Sequence, residues 1–80
     1  MSDKIPRIKA QKLITFLERI GFKLIRQTGS HRLYRNNDKI SVTVPYHSGK
    51  TIHPKIIKTI LYDTKITIEE FKKLIKSIII

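Results

Sequence analysis

The chain has 80 residues, 17 of them Lys or Arg against 6 Asp or Glu, for a net charge of +11, and it contains neither cysteine nor tryptophan. This length admits one domain, residues 1–80, with a modest core. The lack of cysteine excludes disulfides, thiolate zinc sites and cysteine nucleophiles. The charge favours an anionic partner. No stretch approaches the roughly 20 apolar residues of a membrane span, and the opening Met-Ser-Asp-Lys-Ile-Pro has no apolar run of signal-peptide type, so a cytoplasmic protein without membrane attachment is expected.

Leu13, Ile14, Phe16, Leu17 and Ile20 recur at helical spacing, with Lys12, Glu18 and Arg19 on the other side, which predicts a helix over about residues 9–20 closed by Gly21. Three short strands should follow. The first runs from Phe22 to Gln27, and Thr28-Gly29-Ser30 reads as a turn. The second runs from His31 to Arg35 and leads into a turn at Asn36-Asn37-Asp38-Lys39, residues suited to positive φ. In the third, Ile40, Val42 and Val44 alternate with Ser41 and Thr43 until Pro45. A loop over residues 46–53, with Ser48-Gly49 at its tip, precedes a helix starting at Pro54, a favoured first-turn residue. Ile56, Ile57, Ile60 and Leu61 give that helix an apolar stripe, and Asp63-Thr64-Lys65 should break it. Thr67 and Glu70 have the spacing of a capping box, and Phe71, Leu74, Ile75 and Ile78 form the inner face of the last helix.

The expected fold is therefore α+β: an α-β-β-β-α sandwich with a three-stranded antiparallel sheet and an extra C-terminal helix, similar to a double-stranded-RNA-binding domain. The positive charge is uneven across it. Residues 1–58 carry a net +10 and residues 59–80 only +1, which directs the anion-facing surface away from the last quarter of the chain.

The segment RQTGSHRLYRN, Arg26–Asn36, concentrates the chemistry. Together with IPRIKAQKLITFLERIGFKLI before it, and VTVPYH and IIKTIL after it, it resembles the HicA family of small toxins over roughly residues 5–75. The most specific features are Gly29-Ser30-His31 followed by Tyr34, then Val44-Pro45 with His47 beyond. The resemblance implies a metal-independent mRNA endonuclease, a monomeric toxin held in check by a HicB-like antitoxin, with His31 as the catalytic residue and no cofactor. This chain departs from the family pattern at Lys55-Ile56, where many members have Gly-Thr, and at Lys65, where many have Gly.

The residues alone agree with that chemistry without requiring it. RNA carries its own nucleophile, the 2′-hydroxyl, so cleavage needs a base, an acid and cations to hold the phosphate. An imidazole suits the proton work, and Arg26, Arg32 and Arg35 suit the phosphate. Gly29 and Ser30 allow backbone amides to approach an anion. His47 is a second candidate, as partner acid or RNA contact, Tyr34 is a candidate for stacking a base, and Lys50 and Lys55 extend the RNA path, Lys55 beside the start of a helix. Lys9, Lys12, Lys23 and Lys58 are weaker candidates of the same kind.

Each has a structural alternative. His31 can be a strand histidine with a local hydrogen bond, and ideal alternation puts it on the face of Leu33, expected to point inward, unless it sits at the sheet margin or a bulge near Gly29 re-aims it. His53, just before Pro54, reads as a helix-start residue. Three histidines on separate elements make a poor metal site, and no local carboxylate orients His31 for Ser-His-Asp hydrolysis. The remaining functional alternatives are a non-catalytic RNA-binding module and a module whose basic face docks an acidic protein.

Overall fold

The computed structural model describes residues 5–47 and 49–78. Residues 1–4, the loop-tip residue Ser48, and Ile79 and Ile80 lie outside the described set. The elements run α1 (Ala10–Arg19), β1 (Lys23–Thr28), β2 (His31–Arg35), β3 (Ser41–Pro45), α2 (Pro54–Thr64) and α3 (Ile68–Ile78). The strands form one antiparallel sheet in the order β1-β2-β3, giving the α+β, double-stranded-RNA-binding-domain-like layout.

All three helices lie on one face of the sheet. That face carries Tyr34, Val42 and Val44, which join Leu13, Phe16, Leu17, Ile57, Ile60 and Phe71 in one apolar cluster. The rings of Phe16 and Phe71 meet edge to face, centroids 4.9 Å apart, and tie α1 to α3. Because residues paired across an antiparallel ladder share a face, the pairs Tyr34↔Val42 and Arg32↔Val44 place Arg32 on the helix side as well. His31, Leu33 and Arg35 point the other way. Leu33 is thus not inward: the buried residue of β2 is Tyr34, 1% exposed, and the alternation runs one residue out of phase with the expectation.

A register shift does occur, but between Leu24 and Arg26 rather than at Gly29. Ile25 is the extra residue. β1 lies at the sheet edge and every residue in it is exposed, so the bulge leaves Leu24 and Ile25 half exposed.

Local chemistry explains the connections. Gly29 has φ of +58° at the first central position of a two-residue turn between paired Thr28 and His31, a position where any other residue is strained. In the second turn Asn36 Oδ1 accepts from the backbone N–H of Asp38 and of Ile40. The residue that takes positive φ there is Lys39, at 66°. The break expected at residues 63–65 begins two residues late: α2 runs through Thr64 and ends with Lys65 in the left-handed region, φ 60°. The Lys65 N–H then donates to the carbonyl of Tyr62 and the Ile66 N–H to that of Leu61, a Schellman ending in which glycine is the usual residue. The capping box is present: Thr67 Oγ1 accepts from the Glu70 N–H and Glu70 Oε1 from the Thr67 N–H, both at 3.1 Å.

Candidate nucleic-acid interface and active site

The open face of the sheet is built from the strand residues that the helices do not cover. The register puts Lys23 beside Arg35, Arg26 beside Leu33 and Thr28 beside His31, with Ser41, Thr43 and Pro45 opposite Arg35, Leu33 and His31 on the other side. None of the three strands contains an acidic residue. The face therefore presents three cationic side chains around one imidazole, with no carboxylate on it to neutralise them.

His31 is the first residue of β2, exposed, directly after the Gly29-Ser30 turn. Arg26 is its diagonal cross-strand neighbour, a relationship within reach of long side chains. Arg35 lies farther along the same face, its Nε donating to Ser41 Oγ at 2.9 Å. The backbone N–H of Tyr46 donates to the carbonyl of Ser30, fastening the segment after β3 to the turn. His47, exposed, lies two residues beyond Pro45, the partner of His31. The hairpin tip carries Gly29, Ser30 and His31, and the start of the 46–53 segment, tied to Ser30 through Tyr46, carries His47. Lys50 is exposed farther along that segment, where its N–H donates to the His47 carbonyl.

Two candidate residues are placed elsewhere. Tyr34 is packed in the core and unavailable for stacking a base: its ring fills the space between the sheet and the helices, opposite Val42. Its place in the Gly-Ser-His segment reflects folding. Lys55 lines a cleft of about 400 Å³ between α2 and the free edge of β3, with Ser41, Thr43, Thr59 and Asp63, and no residue of the hairpin tip lines that cleft. His53 is the helix-start residue it was expected to be, its Nδ1 accepting from the Lys55 N–H at 3.0 Å.

Arg32 departs from the other two arginines. It leaves β2 on the helix side, and its guanidinium carbon stands 4.0 Å from the centre of the Tyr46 ring. Sequence reasoning passed over Tyr46. The available signal was alternation itself: with Val42 and Val44 inward, residue 46 continues on the helix side past Pro45, and Tyr46 packs against the core there.

Among the described residues no three His, Cys, Asp or Glu side chains are grouped so as to hold a metal ion. No described helix is long and apolar enough to cross a membrane.

A basic α+β domain of double-stranded-RNA-binding type, with an exposed histidine at a Gly-Ser turn among arginines, defines a class of small proteins suited to an anionic partner. The family model described as "HicA toxin of bacterial toxin-antitoxin" matches residues 10–66, more than half the chain. The protein belongs to the HicA toxin family and is a toxin of a toxin–antitoxin system, which implies a cognate antitoxin as partner. No curated protein matches the chain.

Proposed function

We propose that the protein is an endoribonuclease that cleaves mRNA without a metal ion, acting as a single cytoplasmic domain, with His31 moving the proton. The observation that carries this reading is the exposure of His31 on an acid-free face beside Arg26 and the Gly29-Ser30 turn. The scissile phosphate lies against the open face, held by Arg26 and by backbone amides at the turn. His31 takes the proton from the 2′-hydroxyl, whose oxygen attacks the adjacent phosphorus as the bond to the 5′-oxygen breaks. Arg26 and Arg35 stabilise the charge that builds on the phosphoryl oxygens. The departing 5′-oxygen takes a proton from His47 or from water, leaving a 2′,3′-cyclic phosphate.

The antitoxin in this reading is a HicB-type protein that inhibits by covering the open face. An acidic surface on it would be complementary to Lys23, Arg26 and Arg35.

The same fold and charge also suit a non-catalytic RNA-binding module, since reading A-form RNA needs only phosphate and 2′-hydroxyl contacts. The two separate on one experiment. Purified protein incubated with RNA in EDTA should yield fragments ending in cyclic or 3′-phosphate. Intact RNA would favour the binding module, and 3′-hydroxyl ends would contradict attack by the ribose.

A further inference from the structure

We propose that Tyr46 is a positioning residue: it holds the Arg32 guanidinium as a second phosphate-binding subsite, on the opposite side of the first hairpin from His31. The inference rests on the ribonucleic-acid reading above and extends it to a residue that reading does not use.

Three observations converge. The Arg32 guanidinium lies over the Tyr46 ring, 4.0 Å from its centre, a cation–π contact. The Arg32 Nε is buried and has no hydrogen-bond acceptor among the described residues. The Tyr46 backbone is fastened to the hairpin by its N–H to the Ser30 carbonyl, so the ring springs from main chain that is tied to the turn carrying His31.

A buried arginine is ordinarily held by a carboxylate, which fixes its position and cancels its charge. Here a ring supplies the position, and neither the strands nor the segment 46–53 contains an acidic residue to supply the cancellation. The result, among the described residues, is an oriented cation whose Nε has no acceptor. Its planar fork matches a phosphate better than a lone ammonium does, and an ordered side chain loses little freedom on binding. Arg32 is only half-buried as a residue, so its exposed surface belongs to atoms other than Nε.

The placement gives the subsite its role. His31 and Arg32 are consecutive residues of β2 and leave it on opposite faces. An RNA strand that lays its scissile phosphate on the open face and bends around the hairpin tip presents a flanking phosphate to Arg32. The contact is to the backbone and adds affinity and register without reading a base.

The test measures single-stranded RNA affinity across salt concentrations in an H31A background, where cleavage does not intervene. Arg32→Ala should weaken binding about tenfold and lower the salt slope by about 1. Tyr46→Ala removes no charge, yet should reproduce most of both effects. Tyr46→Phe, which keeps the ring, should bind like the H31A parent, and R32A/Y46A should be no worse than R32A alone. Unchanged binding and slope in Tyr46→Ala, or additive losses in the double variant, would overturn the proposal. So would a lower melting temperature for Arg32→Ala with RNA binding intact, which would make the pair a seal on the core rim. If the H31A parent binds no RNA at all, the ribonucleic-acid reading fails and this one with it. If binding depends on Arg26 but not on Arg32, only this one fails.

Discussion

Tyr46 donates its backbone N–H to the carbonyl of Ser30, and this bond, next to the His31↔Pro45 pairing, joins the two segments that carry the candidate side chains. It sets the segment leading to His47 against the turn that leads to His31. The candidate face is therefore organised at a strand end, by a two-residue turn and the residue just past a neighbouring strand.

The turn itself is sensitive to substitution. Gly29 sits at φ +58°, and a Cβ added there would meet nothing within 4 Å, so the cost of a side chain is purely one of backbone conformation. Gly29→Ala should destabilise the protein by about 1 kcal/mol, and Gly29→Asn by less, because Asn tolerates the left-handed region. Urea denaturation of the two variants checks the order. Equal stability of Ala and Gly at this position would mean the turn has another conformation.

Arg26 should matter for RNA in a way that helix-surface lysines do not. Arg26→Ala should weaken RNA binding roughly uniformly across sequences and reduce the salt slope by about 1. Lys73→Ala, an exposed change on α3, is the matched loss of charge away from the open face and should leave affinity nearly unchanged at moderate salt. Equal effects from both would show that the net charge, and not the open face, binds RNA.

At the start of α2, His53 Nδ1 accepts from the Lys55 N–H, so the ring acts as an N-cap. His53→Ala should cost about 0.5–1 kcal/mol, and His53→Asn should recover most of it, since an amide oxygen can take the same bond. Thermal denaturation gives the comparison. Cleavage by the alanine variant should persist wherever the protein is folded; its loss in folded protein would make His53 part of the site.

The far end of α2 offers the opposite change. Lys65 occupies the left-handed ending at φ 60°, where glycine is favoured. Lys65→Gly should stabilise the protein by about 1 kcal/mol, seen as a higher melting temperature. A lower melting temperature would show that the lysine side chain contributes more than its backbone strain costs.

Much of the fold was legible because local signals agreed with the global one. Periodicity marked α1 and α2, Pro54 marked a helix start, and the Thr67–Glu70 box fixed the beginning of α3. What escaped was set by tertiary geometry. The strand HRLYR has two apolar residues of opposite phase, Leu33 and Tyr34, and either could have faced the helices; Val42 and Val44 across the ladder select Tyr34. That choice turned His31 toward solvent and removed Tyr34 from the site. The bulge at Ile25 had no sequence signal, since neither glycine nor proline marks it. The continuation of α2 to Thr64 was masked because Asp63-Thr64-Lys65 reads as a break, whereas Thr64 Oγ1 folds back onto the Ile60 carbonyl and a lysine takes the place of glycine.

The most direct test of the account is a comparison of wild-type protein with His31→Ala, purified and free of antitoxin, on one labelled mRNA in EDTA. The account predicts that the variant still binds the RNA with affinity within a few-fold of wild type and cuts it at least about a hundredfold more slowly, as expected for loss of a positioned proton-transfer group. Cleavage by the alanine variant at the wild-type rate would contradict it.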